Sequence, residues 1–435
     1  MINYNRDRNE SVVGLRKRAL PKQLGLLVRR ASWLNNFNNN SNFNANNHNI
    51  NNNNSLRGIF RRAETFILTD DLWGQLCSKK NLELAFKAAR KHKTLKSYVI
   101  EFESDLKNNL SLLRTELLFH FYQPRPLETF ILRDPKTRKI SKAHFRDRVI
   151  HHALCNVIEP LFEKRFIYDS YANRIGKGAF KAIERFEHFS KEITRNHALP
   201  AYVLKADIRH YFETVDHDIL LQVLKSKIKD ARIIWLIEKI LKNHSSEKGM
   251  PLGNLTSQFF ANVYLNELDQ FVKHELKAKY YLRYVDDFVI LHHSKTILEE
   301  WKSKIDSFLY NHLALELHPD KSRIIPLENG VDFLGFKVFS HHRLIKRRNR
   351  RKFQRTLREN SSLFESKQIE YDELYDFMEG WVAYTKHADT YNLRIKILVK
   401  YEEKFSHEIS SKEISRGISL LLHFPPITFI KIPSF

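Results

Sequence analysis

The stretch that decides the fold runs Tyr280-Tyr281-Leu282-Arg283-Tyr284-Val285-Asp286-Asp287-Phe288-Val289-Ile290-Leu291. Two adjacent carboxylates sit inside a run of apolar, strand-favouring residues, where burial is costly unless the acids face a cation. A tight hairpin with Asp286 and Asp287 at its tip resolves the conflict, because it presents both to one place. Mg²⁺ favours a few carboxylates together with substrate phosphates, so such a tip suits phosphoryl transfer.

A bare pair of aspartates is weak evidence, and the chain holds its own contrast. Asp70-Asp71 precedes a helical pattern and reads as negative charge at a helix N-terminus. A third carboxylate belongs on a strand beside the hairpin. Asp207 closes Tyr202-Val203-Leu204-Lys205-Ala206, and although one strand-end aspartate ordinarily faces water, its pairing with the later hairpin makes it the candidate.

The remaining sequence narrows the setting. The 435 residues are 42% hydrophobic and 28% charged, with 73 Lys and Arg against 50 Asp and Glu, a formal net charge of +23. Such an excess predicts a polyanionic partner, nucleic acid or an anionic surface. No apolar run is long enough to span a bilayer, and the first residues carry no secretory core. Two distant cysteines, Cys77 and Cys155, exclude a disulfide framework or a multi-cysteine zinc site and suit a reducing cytoplasm.

Residues 35–54 are mostly asparagine, too polar to form a core, so residues 1–64 are expected to be a disordered extension. Thr69 or Asp70 could cap a helix carrying Leu72 through Ala89, and a second helical run covers Tyr98 to Leu118. Strands are expected near Phe130–Arg133 and Arg138–Ile140 around an Asp134-Pro135 turn, with helices over Arg146–Phe162 and Ala179–Ile193. Residues 201–208 and 280–291 are the best strands, and beyond Leu344 the chain reads as helical to about Ser410. The mixture predicts an α+β fold. Gly176-Lys177-Gly178 lacks the spacing of a phosphate loop and is set aside.

Taken together, Asp207, Tyr211-Phe212, Asp216-His217 and Tyr284-Val285-Asp286-Asp287 resemble motifs A and C of reverse transcriptases. Other blocks follow in the family's order: Arg138-Lys139-Ile140 and Phe145-Arg146-Asp147-Arg148-Val149, Ser170 to Arg174, Gly249 to Gln258, His318 to Ser322, and Phe333-Leu334-Gly335-Phe336. The resemblance covers roughly residues 70–400. It implies a right-hand polymerase, with fingers and palm over 65–340 and a basic helical thumb and tail over 341–435.

The resemblance also assigns roles. Asp207, Asp286 and Asp287, with the Ile208 carbonyl, would hold two Mg²⁺ ions, and Lys321 would protonate the leaving pyrophosphate. Phe212 stands where the family excludes a ribose 2′-hydroxyl, selecting dNTPs. Arg138 or Lys139 would grip the triphosphate, with Arg174 a weaker candidate, while Leu252, Gly253 and Gln258 would line the templating pocket. The run from Arg343 to Arg355 has eight Lys or Arg in thirteen positions. Of these, Arg343, Lys346, Arg347, Arg348, Arg350 and Arg351 would hold the phosphates of an RNA–cDNA duplex without reading sequence.

A finer resemblance follows from Leu252-Gly253-Asn254-Leu255-Thr256-Ser257-Gln258. Many group II intron enzymes carry Gln-Gly-x-x-x-Ser-Pro there, and the missing proline is similar to the enzymes of diversity-generating retroelements. That family implies a template RNA copied with errors at adenines and a basic accessory variability protein as partner. The asparagine tract, flanked by Ser32-Trp33 and Leu56 to Arg61, looks like a translated adenine-rich template repeat. The rivals are a group II intron or phage-defence reverse transcriptase, and an RNA-binding scaffold that keeps the fold without turnover.

Overall fold

The computed structural model describes residues 71–133, 137–244 and 246–416. The asparagine-rich extension, the proposed Thr69 or Asp70 cap and the Asp134-Pro135 turn lie outside them. The described chain forms two compact units, which divide between His341 and His342.

The larger unit begins with α1 (Leu72–Leu76) and α2 (Lys79–Arg90). The expected single helix is two, because Ser78 caps the second: its hydroxyl accepts from Asn81 N and donates to Gln75 O. Asp71 caps α1 by accepting from Gly74 N at 2.9 Å. The next run also splits, into α3 (Ser97–Ser104) and α4 (Leu106–Leu118), at Asp105, whose φ of −129° and ψ of 49° leave the helical region.

An antiparallel hairpin follows, β1 (Glu128–Leu132) with β2 (Arg138–Lys142), then α5 (Phe145–Glu163) and α6 (Ala179–Ile193). The strand β3 (Tyr202–Asp207) leads to a short α7 (Tyr211–Thr214), then α8 (His217–Lys225), α9 (Ala231–Lys242) and α10 (Leu255–Gln270). The decisive stretch forms β4 (Tyr280–Tyr284) and β5 (Asp287–His292), followed by α11 (Lys295–Leu313) and β6 (Arg323–Pro326).

These strands make a four-stranded antiparallel sheet in the order β4-β5-β3-β6. Leu204, Ala206, Phe288 and Ile290 from the sheet join Phe260, Tyr264 and Leu268 of α10 and Ile305 and Leu309 of α11 in one buried core. Burial of so many large apolar side chains is what holds the sheet's exposed end in one register. A small hairpin, β7 (Val331–Phe333) with β8 (Phe336–Val338), completes this unit. Cys77 and Cys155 are both buried free thiols.

The smaller unit opens with a short strand, β9 (Arg343–Ile345), and then, as expected beyond Leu344, is helical through α12 (Arg347–Glu365), α13 (Tyr371–Thr385), α14 (Tyr391–Lys404) and α15 (Ser411–Arg416). Phe353 anchors its core, stacked 4.1 Å from Trp381 and 5.4 Å from Phe377 between ring centres. Among the described residues no helix is long and apolar enough to cross a membrane.

Candidate active site

The carboxylates meet at one end of the four-stranded sheet. In the β3–β5 register Asp207 lies directly opposite Asp287. Tyr284 pairs with Asp287 to close the β4–β5 hairpin, so Val285 and Asp286 form its two-residue turn. Directly opposed residues have Cβ atoms about 5 Å apart. The strand pairing, not the sequence separation, therefore places a carboxylate from residue 207 beside those at 286 and 287.

Their electrostatics follow from this crowding. Burial, and next the Asp207 carboxylate, push Asp286 up to about 6. Asp287 is also raised, mainly by burial, with Lys205 pulling it back. Two lysines answer the negative charge: Lys321 Nζ is 2.9 Å from Asp207 Oδ1, and Lys205 Nζ is 3.4 Å from Asp287 Oδ1.

Among the described residues no three His, Cys, Asp or Glu side chains are already gathered as a metal cage. The donor set nevertheless suits a hard cation. Asp287 Oδ1 is buried with only the long 3.4 Å contact to the Lys205 ammonium, and Asp286 is held against its own ionisation by burial and then by the Asp207 carboxylate. Oxygen donors of this kind, close to a surface that could admit phosphates, fit Mg²⁺.

The backbone around Asp207 is tied to the loop before β6. His318 N donates to Asp207 O at 2.7 Å, Ile208 bridges Leu317, and Arg209 N donates to Glu316 O at 2.9 Å. Lys321 is thereby carried to the carboxylate. Ile208 itself is buried.

Phe212 is half-buried beside Tyr211, whose hydroxyl donates to Ala261 O at 2.7 Å. Its carbonyl accepts from Met250 N. Gly249, at φ +86°, lies so close that a Cβ would meet Glu213 O at 2.9 Å and Phe212 O at 3.1 Å. The segment after Asp207 and the loop before α10 are thus pressed together backbone to backbone, which only glycine permits there.

That loop also grips the β1–β2 hairpin. Ser141 N donates to Leu252 O at 2.9 Å, and a Cβ on Gly253 would lie 3.0 Å from Ile140 Cγ2. Asn254, buried, accepts from Ala143 N at 2.9 Å and donates to Ser141 O at 3.3 Å. Leu252 is half-buried, and Gln258 is exposed near the start of α10. Arg138 and Lys139 are exposed on β2, and as neighbours on a strand they project to opposite faces.

Arg174 departs from its expected role. Its guanidinium binds Glu163 through two nitrogens and donates to Ile167 O and Ser170 O, and it lies over the Phe166 ring. These contacts brace the turn after α5 and occupy most of its donors, away from the triphosphate role expected of it. In the smaller unit Arg347, Arg348, Arg350 and Arg351 are exposed on α12, and Arg343 and Lys346 are half-buried.

Sequence reasoning missed Lys205, Asn254, Asn262, Asp269 and Arg283. Arg283 had one visible sign, a charged residue inside an apolar strand. Its partners lie 14 and 21 positions away on α10, a pairing that spacing alone does not reveal.

With this geometry in place, comparison with known proteins is direct. Residues 133–338 match the family model described as reverse transcriptase (RNA-dependent DNA polymerase). They are a reverse transcriptase domain, the domain of an RNA-directed DNA polymerase. Over 290 residues the chain is 27% identical to Protein YkfC of Escherichia coli, covering 57% of this chain and 74% of that protein. It is 24% identical over 291 residues to the group II intron-encoded protein LtrA of Lactococcus lactis subsp. cremoris, covering 50% of this chain and 47% of LtrA. The chain thus spans about half the length of LtrA. The solved structure of apo telomerase from Candida tropicalis, truncated from its C-terminal domain, superposes with a TM-score of 0.42 at 13% identity, covering 54% of this chain and 59% of that one.

Proposed function

We propose that this chain, built around a reverse transcriptase domain of group II intron type, copies a template RNA into cDNA by nucleotidyl transfer at Asp207, Asp286 and Asp287. The observation that carries the reading is the register of β3 and β5, which sets Asp207 opposite Asp287 with Asp286 in the adjoining turn.

Two Mg²⁺ ions bound by these carboxylates would supply an activated primer 3′-hydroxyl and neutralise the triphosphate charge. The chain's own groups do the rest. Lys321, already at the Asp207 carboxylate, is placed to give a proton to the leaving pyrophosphate. Phe212 offers an aromatic wall beside the ribose, so a 2′-hydroxyl would clash and dNTPs are selected. Arg138 or Lys139, both exposed and on opposite faces of β2, takes the triphosphate, and the basic face of α12 takes duplex phosphates, in the role of a thumb.

Within this activity, mutagenic retrohoming in a diversity-generating retroelement is favoured by Ser257-Gln258 where intron enzymes carry Ser-Pro. Leu252 packs its carbonyl on β2 and Gln258 is exposed on α10, so both are available to a templating base. An accessory protein and template RNA are the partners of this reading. The intron-maturase reading draws its support from the likeness to LtrA.

The test is to supply the full chain, with and without any accessory protein encoded beside it, with an adenine-containing RNA, a primer, dNTPs and Mg²⁺, and to sequence the cDNA. Errors concentrated opposite adenine are expected. Accurate cDNA would discard the mutagenic reading and leave the intron-type polymerase. Absence of cDNA from several templates would count against polymerisation itself.

A further inference from the structure

Behind the Val285-Asp286 turn lies a fully buried ion pair. Arg283 Nε and Nη2 donate to the two oxygens of Asp269 at 2.7 and 2.6 Å. Neither side chain has any exposed surface. Tyr281 OH donates to Asp269 Oδ1 at 2.6 Å, and Asn262 Oδ1 accepts from Arg283 Nη1 at 3.3 Å. The same Nη1 donates to Val285 O at 3.0 Å. The Arg283 backbone is clamped as well, accepting from Tyr171 N and donating to Asp169 O, each at 2.9 Å.

Burying such a pair gives little net stability compared with apolar residues of the same volume. Its presence here coincides with a second cost. Val285 has φ +55°, a left-handed conformation that a β-branched residue rarely adopts and that a glycine would take without strain. Strained turns persist only where their surroundings over-determine them. The Arg283 hydrogen bond to the Val285 carbonyl is one such restraint, and it acts on the peptide that leads into Asp286.

We propose that Arg283, fixed by Asp269, Tyr281 and Asn262, is a positioning residue that holds the Val285 turn so that Asp286 meets the cation together with Asp207. The proposal rests on the metal-dependent reading above. It makes α10 a common support: its start binds the β1–β2 hairpin through Asn254, and its far end carries Asp269. A bidentate guanidinium is required, because a lysine ammonium cannot bind both Asp269 oxygens and Val285 O from one planar group.

The experiment is a Mg²⁺ titration of the full chain, followed by thermal unfolding and, in parallel, by single-nucleotide incorporation. The wild type should show a saturable rise in Tm with Mg²⁺. Arg283→Lys should raise the half-saturating Mg²⁺ concentration about tenfold, as expected when one charge-assisted contact at the turn is lost. Adding Val285→Gly to that variant should bring half-saturation back to within about twofold of wild type, since glycine adopts the turn unaided. Tyr281→Phe, which keeps the packing and removes one Asp269 contact, should shift half-saturation about threefold. Variants that melt lower without Mg²⁺ yet keep wild-type half-saturation would reduce Arg283 to a structural residue and overturn the proposal. Failure of Val285→Gly to rescue would overturn it too. A wild type whose Tm and incorporation ignore Mg²⁺ would instead overturn the metal reading on which it depends.

Discussion

Lys321 Nζ lies 2.9 Å from Asp207 Oδ1, so the residue assigned to protonate the leaving group is bound to a carboxylate assigned to the metal. The contact joins the loop before β6 to the end of β3, and its backbone support comes from His318 N on Asp207 O at 2.7 Å. On the proposed metal-dependent reading, a cation held by Asp207 would compete with the Lys321 ammonium for that carboxylate. Loading the site should release the ammonium toward the phosphates.

This competition predicts a split effect for Lys321→Met. Turnover in single-nucleotide incorporation should fall about 100-fold, the scale of general acid catalysis. The half-saturating Mg²⁺ concentration should fall too, because the oxygen is no longer contested. Unchanged turnover would take Lys321 out of the chemistry.

Asp286 is buried against like charge, so removing its charge should stabilise the cation-free chain. Asp286→Asn is expected to raise Tm at pH 8 without Mg²⁺ by about 2 °C or more. The same variant should lose synthesis by about a thousandfold or more while binding RNA nearly as the wild type does. Thermal melts, primer extension and filter binding on one preparation check all three, and wild-type-like extension would remove Asp286 from the metal site.

Gly249→Ala would drive a Cβ to 2.9 Å from Glu213 O at φ +86°. The backbone must move or strain, at a cost of about 1–3 kcal/mol. Since Phe212 O accepts from Met250 N, the displacement reaches Phe212, the side chain proposed to exclude a 2′-hydroxyl. A raised KM for dNTPs and weaker rejection of rNTPs are expected in steady-state assays. Selectivity identical to the wild type would show that the loop and Phe212 are not coupled.

His151 gives a pH signature away from the site. Burial pushes it down to about 3, so it stays neutral in the folded chain across ordinary pH. In the unfolded chain it takes a proton below about 6.5. The stabilisation is complete above about 6.5 and is lost as pH falls toward 3, amounting to about 2 kcal/mol between pH 6.5 and 5. Melting at pH 7 and pH 5 should show a smaller pH difference for His151→Gln than for the wild type. Equal differences would mean that His151 is solvated in the fold.

The local pattern of the chain was readable where short-range physics governs. The strand-favouring runs expected at 201–208 and 280–291 became β3 and the β4–β5 hairpin, and α6 begins and ends where its periodicity does. Two helical runs split although the apolar stripe continues, one where the Ser78 hydroxyl caps a new helix and one where the Asp105 backbone leaves the helical region. Arg174 misled because Arg beside a motif resembles a ligand grip, whereas its acceptors at Glu163, Ile167 and Ser170 exist only once α5 ends in its turn.

Residue types and order along the chain were enough to single out the three aspartates as candidates, together with the cationic excess and the polymerase-like succession of blocks, because these depend on chemistry and short spacing. Tertiary structure alone decided the opposition of Asp207 to Asp287, the lysines that neutralise them, and the buried Arg283–Asp269 support. Each of those depends on a strand register or a helix-to-sheet contact between segments distant in sequence. Such contacts are selected by the burial of the whole core, and no local window of residues contains that information.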